Sequence, residues 1–504
     1  MQGDDRDHDQ EPGDPGGDPG SGAPGRRWLL FPAGAVAALT LLALAELVDW
    51  ASSDALLPAL MSTERLTFYY WGQDRLANLV PLLAWPVRDV LASFYVQAAA
   101  VTAGTFAVIA QLGWFHLHVT GRRLSGPVLA AATGASGLAL LGVLRGIPGY
   151  RLLVEQQHGL TLALALLGLR WFVADQRGRR AAGALLALAA VVVNPSWALV
   201  APAGWLLCDD EGQRRRRTLE SLLLGGVALA VSTACAAAFG QGEDRAEAYN
   251  GFSPRTLVDG LPEVLRELRI SVRADALALL LVGAVAVLLL RRAALPARLR
   301  LTYVVAPAFA LGWTLLFAGN PWVAANAHGS RYFFPVYVVV ALVLVGAALE
   351  LLAVAGDRLA GRASARPRAG AVLAVALAAL AGISARQLVA LHPPAALEAA
   401  APVADLVIAE DVQLVAGSYW NVWPVVLVAR DRGDDALGVT YRSDPLRADI
   451  RRVARSTPPG ELRMACLAVP LRDCLADLER LSGQGWEVVE TLVEQPLTVR
   501  LAPA

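Results

Sequence analysis

Between Asp49 and Arg75 the chain reads DWASSDALLPALMSTERLTFYYWGQDR, which gathers four carboxylates (Asp49, Asp54, Glu64, Asp74), two arginines and the aromatic run Phe68, Tyr69, Tyr70, Trp71 in one loop. Long stretches on either side avoid charge. Ionised groups beside apolar helices are costly unless solvated or paired, so such a cluster is a candidate for chemistry. Asp54 is followed by ALLPALM, which can return to the membrane surface as a short amphipathic turn and hold the carboxylate over a cavity. There it can act as a general base toward a hydroxyl. The competing role is a helix cap after Ser52 and Ser53. Asp49, at the end of the first apolar run, is its rival for the chemistry. Glu64–Arg65 and Asp74–Arg75 read as solvated local pairs of little worth, and the aromatic run reads most simply as an interfacial belt, with sugar-ring binding on its aromatic faces as the alternative.

Two later segments offer partners. In PGYRLLVEQQHG (148–159), Arg151, Glu155 and His158 have helical spacing and can share one face. His158 can serve as acid, base or ligand, or simply as a polar helix terminus. In HGSRYFFP (328–335), Arg331 and Tyr332 open an apolar helix. A guanidinium there can fork onto a phosphate at headgroup depth, or snorkel outward to the interface.

The elements that must position these groups follow from composition. Of 504 residues 56% are hydrophobic and 17% charged, which is too apolar for an ordinary soluble protein of this length. The net charge is zero, so no basic surface argues for nucleic acid. The basic residues are all arginine, as expected of a GC-rich coding sequence. Residues 1–27 are Gly, Pro and Asp with almost nothing apolar, and read as a disordered tail. Apolar segments recur at 28–48, 91–117, 126–145, 158–175, 181–193, 195–208, 218–239, 275–290, 301–318, 332–355 and 370–390. Spanning takes about 20 apolar residues, and backbone inside lipid must be helical. The chain is therefore predicted to be a polytopic α-helical membrane protein of about eleven hydrophobic helices over 28–390. Arginine clusters stay cytoplasmic. A hairpin broken at Asn194-Pro195 keeps all six clusters on one side, with the N-terminus cytoplasmic and residues 391–504 extracytoplasmic. Residues 256–270 carry apolar side chains at helical spacing and read either as a helix lying on the membrane surface or as one packed against the soluble domain.

Residues 391–504 change character. The strand-like runs ADLVIAE, ALGVTY, RMACLAV, WEVVETLV and LTVRL alternate with the helical PLRADIRRVARS and LRDCLADLERLSG, which predicts a small soluble α/β domain. An oxidising compartment would permit a Cys466–Cys474 bridge; the alternative is two free thiols. The chain has no Walker loop, no GxGxxG after a strand, no HExxH and no CxxC, so nucleotide-driven transport and a thiolate zinc site have no support.

The layout resembles the GT-C superfamily of membrane glycosyltransferases, which includes protein O-mannosyltransferases and lipid A aminoarabinose transferases. Three short motifs carry the resemblance: the acid after the first helix (VDWASSDALLP), the Arg-Tyr pair opening a late helix (SRYFFPVY, 330–337) and a Tyr-Trp element early in the C-terminal domain (GSYWNVWPVVLV, 417–428). It implies transfer of a sugar from a polyprenyl-phosphate donor to a glycan, lipid or protein acceptor of the cell envelope. Asp54, seconded by Asp49, would activate the acceptor or hold a divalent cation. Arg331 would bind the donor phosphate. On their own chemistry and placement, Tyr332, Tyr70, Trp71, Arg151, Glu155 and His158 are the further candidates to line the substrate site. Many members carry two adjacent acids after the first helix, whereas this chain has Asp54-Ala55. That departure keeps open a transporter of lipid-linked glycan or a non-catalytic assembly protein.

Overall fold

A computed structural model describes residues 29–71, 77–122, 125–144, 146–155, 157–174, 176–208, 211–239, 251–359 and 393–504. The expected disordered tail at 1–27, the last expected helix at 370–390, and Asp74 and Arg75 lie outside them. Of the described residues 76% are helical, and those outside one small sheet are helix and connection.

Among the described residues, six helices are long and apolar enough to cross a bilayer. They are α1 (Leu30–Leu47, extended by a 3-10 turn to Trp50), α3 (Val90–Val119), α4 (Gly126–Val143), α7 (Glu211–Phe239), α10 (Ala297–Ala318) and α11 (Phe334–Leu359). The remaining apolar segments are shorter. Helix α5 covers His158–Phe172, α6 Arg177–Val193 and α9 Ala274–Leu290, while Pro195–Ala203 is a 3-10 helix. Helix α6 stops at Asn194, whose side chain accepts from Ser196 N at 3.2 Å. Proline at 195 cannot supply the next helical donor, so the expected break falls there.

Helix α3 is the hub and packs against α1, α4, α5, α11 and the short helix α2 (Ser53–Thr63). Glycines let the bundle close. A Cβ on Gly104 of α3 would meet the Leu160 backbone of α5 at 2.2 Å, and one on Gly183 of α6 would meet Phe172 N at 2.4 Å. Small residues permit such contact between membrane helices. Helix α8 (Pro254–Ser271) is strongly amphipathic, as its sequence predicts. Val264 is buried, while Val258, Leu265 and Ile270 are exposed.

The C-terminal domain contains a five-stranded sheet of order β2-β1-β3-β5-β4. Strands β1 (Leu414–Gly417), β2 (Leu437–Val439) and β3 (Leu462–Leu467) are parallel, and β5 (Leu497–Pro503) runs antiparallel to both β3 and β4 (Trp486–Glu494). ADLVIAE, read as a strand, lies instead in helix α12 (Ala395–Ala409). Leu397, Ala400, Ala404 and Val407 recur at three- and four-residue spacing and bury one face, so the helical period outweighs the local β propensity. Helix α13 (Tyr419–Asp431) follows β1, α14 is Arg447–Ser456 and α15 is Leu471–Ser482. Cys466 and Cys474 are joined by a disulfide between β3 and α15.

This domain sits directly on the bundle. Helix α13 packs on α2 and α3, and α12 packs on the 3-10 turn after α1. Glu64 and Arg65, expected to form a local pair, instead reach across: Glu64 to Arg430 Nε at 2.8 Å and Arg65 to Asp449 at 3.6 Å.

Replacing Gly183 by leucine forces a branched side chain into the α6–α5 crossing. Overpacking of this kind costs about 1–3 kcal/mol. Thermal unfolding of the detergent-solubilised chain is expected to shift down by several degrees for Gly183→Leu. Gly178→Leu, at the start of the same helix with open space around it, is expected to leave it unchanged.

Candidate functional site

Asp54 lies in the first turn of α2, where the helix dipole favours a carboxylate. Its side chain is nearly buried and is met from three sides. Arg331 Nη1 lies 2.5 Å from Oδ2, Tyr419 OH donates to Oδ1 at 2.8 Å, and Arg442 Nη1 is 3.6 Å from Oδ1. Tyr70 OH donates to the Asp54 carbonyl at 3.0 Å and lies 3.4 Å from the Tyr419 hydroxyl.

Local structure explains each partner. Arg331 opens α11 from a 3-10 turn, Ser330–Phe333, that follows left-handed backbone at Ala327 and His328. Its Nη2 also approaches Asn326 Oδ1 at 3.4 Å and the Tyr332 hydroxyl at 3.3 Å. Tyr419 comes two residues after β1 and Arg442 three residues after β2, so both extend from the C-terminal ends of parallel strands, where α/β sheets place their ligands. The turn carrying Arg442 is pinned by Thr440 N donating to Ser443 Oγ at 2.9 Å. The Arg442 guanidinium stacks 4.7 Å from the Tyr419 ring and 5.7 Å from that of Tyr70.

A second carboxylate faces the same arginine. Glu155, fully buried at the end of the π-helical turn Arg151–Glu155, has Oε1 3.9 Å from Arg331 Nη1 and 4.0 Å from Arg151 Nε. It accepts from Ser52 Oγ at 2.5 Å. The two acids differ in state. Burial raises the Asp54 pKa, but the charges of Arg331 and Arg442 and the Tyr419 hydrogen bond outweigh it and hold the group below its ordinary 3.8. Burial, then the neighbouring Asp54 charge, push Glu155 above its ordinary 4.5 against the pull of Arg151. Burial and Asp54 also push the Tyr70 and Tyr419 hydroxyls upward, so both remain donors at neutral pH.

Asp54, Glu155, Arg331 and Arg442 open onto a cavity of about 560 Å³, which also receives Tyr70, His158 and Tyr332. The expected residues divide accordingly. Asp49 is exposed in the turn after α1 and does not line the cavity, so the second acid there is Glu155. Trp71 is buried against Trp423, ring centroids 5.8 Å apart, and with Tyr69 belongs to the core rather than to an interfacial belt; only Phe68 of that run is exposed. Arg151 stands behind Glu155 without lining the cavity. His158 accepts from Asn194 Nδ2 at 2.9 Å, because the Asn194 oxygen is already committed to Ser196 N. Arg442 escaped the sequence reading. Its only signal was a basic residue just beyond a strand, in VTYRSD.

Among the described residues, no three His, Cys, Asp or Glu side chains gather as a cation-binding set. A divalent ion at Asp54 would have to displace guanidinium groups, so the donor set fits an arginine-lined anion site better than a metal centre. In the cavity lining two guanidiniums, Arg331 and Arg442, stand against two carboxylates, Asp54 and Glu155, with Arg151 behind Glu155. Comparison with known proteins finds no matching family model, curated protein or solved structure.

Asp54→Asn leaves Arg331 and Arg442 partly buried without their shared counter-charge. Removing one member of such a cluster costs about 3 kcal/mol. Because the Asp54 pKa is depressed on folding, its contribution is complete above pH 3.8 and is lost as pH falls through the folded value. Unfolding followed from pH 7 to pH 3 is expected to show wild type losing stability at the acid end, with Asp54→Asn less stable at pH 7 and less sensitive to acid.

Proposed function

We propose that this chain is a membrane glycosyltransferase of GT-C type, which moves a sugar from a polyprenyl-phosphate donor to a hydroxyl acceptor of the cell envelope. The observation that carries the reading is the pair of guanidiniums, Arg331 and Arg442, at a cavity walled by lipid-facing helices. Ser232 and Ala236 of α7 and Trp313 and Phe317 of α10 line the cavity. Only 17% and 11% of the most apolar 18-residue stretch of these two spans is buried, so their outer surfaces suit lipid contact. The phosphate of a lipid-linked phosphodiester can meet Arg331 and Arg442 while its chain lies along α7 and α10.

In this scheme the acceptor hydroxyl attacks the anomeric carbon, the bond from that carbon to the phosphate oxygen breaks, and the lipid phosphate leaves with one more negative charge. Arg331 and Arg442 stabilise that charge as it develops. The sequence reading gives the proton to Asp54. The ion-paired Asp54 is a weaker base than Glu155, whose basicity burial raises, so we assign the proton to Glu155 and leave Asp54 to position the arginines. Two carboxyls driven apart in pKa are a common arrangement for dividing such roles. The full reading has eleven hydrophobic helices, a cytoplasmic N-terminus and an extracytoplasmic C-terminal domain. The distribution of arginine clusters and the helix break at Asn194 support it.

The test is transfer from radiolabelled polyprenyl-phosphate sugars to membrane acceptors by purified protein. Glu155→Gln is expected to lower the rate at least about 100-fold, and Arg331→Ala to abolish saturation at donor concentrations that saturate wild type. The wild-type rate should rise with pH along a limb centred above 4.5, as Glu155 deprotonates. Unchanged transfer in both variants removes the assignment, and movement of labelled lipid across liposomes without transfer favours a transporter.

A further inference from the structure

The cavity lining also carries polar groups that the phosphate scheme does not use. Gln97 of α3 is 4% exposed, and its Nε2 donates to the Pro58 carbonyl at 3.0 Å, Ser93 Oγ at 3.0 Å and Ser62 Oγ at 3.2 Å. A carbonyl oxygen can only accept, so Pro58 fixes which way the amide faces. That leaves Gln97 Oε1 with no hydrogen-bond partner. Gln157 repeats the pattern: Nε2 donates to the Ala77 carbonyl at 3.1 Å, and Oε1 is left over. Tyr150 is wholly buried and its hydroxyl also has no partner. All three side chains line the same cavity as Arg331. Buried polar atoms are nearly always paired in folded proteins, so three orphans in one cavity lining call for an explanation.

Two amide oxygens and one phenol form a specific recognition set. The oxygens accept from hydroxyl or N–H groups, repel carboxylate and phosphate, and carry no formal charge. The formal charges of the lining are already set against one another around Asp54 and Glu155. A ligand that fills the cavity is therefore anionic where it meets the arginines, and uncharged and rich in hydroxyls where it meets the glutamines. We propose that Gln97, Gln157 and Tyr150 form the seat of the transferred group, and that this group is an uncharged monosaccharide rather than a uronic acid. The inference rests on the lipid-phosphate reading above and specifies the part of the donor that reading leaves open.

The experiment measures binding to the full-length protein in nanodiscs with three kinds of probe: dodecyl phosphate, a panel of dodecyl-phosphate neutral sugars (glucose, mannose, galactose and arabinose), and dodecyl-phosphate glucuronic acid. At least one neutral probe is expected to bind about tenfold tighter than dodecyl phosphate, the difference that one or two well-placed hydrogen bonds supply. The glucuronic acid probe should gain nothing. Tyr150→Phe removes a hydroxyl that has no protein partner, so it should melt like wild type while losing most of the neutral-sugar gain and keeping dodecyl phosphate binding. Gln97→Leu should lose the same gain. If no neutral probe outbinds dodecyl phosphate while Arg331→Ala weakens all of them, the phosphate reading stands and the sugar seat is refuted. If Arg331→Ala changes nothing, the lipid-phosphate reading fails and takes this inference with it. A gain for the glucuronic acid probe overturns the uncharged character of the group.

Discussion

A nearly buried carboxylate must find positive partners, and Asp54 finds them far along the chain. Burying an ion costs several kcal/mol unless charge and hydrogen bonds compensate. Asp54 takes one guanidinium from the start of α11 and another from the loop after β2, with the Tyr419 hydroxyl between them. Three parts of the chain converge on that one group: the segment after the first membrane helix, the last described membrane helix, and the C-terminal domain. The domain therefore completes the site rather than decorating the bundle. Glu64 with Arg430 and Arg65 with Asp449 brace the same junction.

Helix α11 is held at both ends by such pairing. Well beyond Arg331 it carries Glu350, fully buried, which accepts from His116 Nε2 at 2.9 Å, Arg122 at 2.9 Å and Arg291 at 3.2 Å. His116 in turn meets the Tyr303 hydroxyl at 2.8 Å. Glu350 lies about 28 Å along the helix from Arg331 at the usual rise per residue. A charged cluster within an apolar helix fixes its depth and rotation, so the position of Arg331 at the cavity is determined from the far end as well as locally.

Much of the site was legible in the sequence because its members break local patterns. Asp54, Arg331 and Glu155 are charges flanking apolar helices, and a polar side chain at such a place stands out. Tyr419 was visible only as part of a Tyr-Trp element, and Arg442 not at all, since an arginine after a strand in a soluble domain is unremarkable until the domain docks. The aromatic run misled in the opposite direction: Tyr69 and Trp71 look interfacial, yet the bridge between Tyr69 and Ala77 and the packing of Trp423 fold them into the core. ADLVIAE looked like a strand in a short window and became a helix because its apolar period extends upstream to Leu397. Gln97, Gln157 and Tyr150 carry no sequence signal, because what marks them is a missing partner, and that exists only in three dimensions.

The central claim is that Arg331 and Arg442 receive a lipid phosphate beside Asp54. Electron cryomicroscopy of the protein in nanodiscs with a short polyprenyl-phosphate sugar addresses it most directly. The account predicts phosphate density between the two guanidiniums, with the lipid chain leaving along α7 and α10. Density for the phosphate elsewhere, with the Asp54–Arg331 contact closed and the cavity free of lipid, would contradict it.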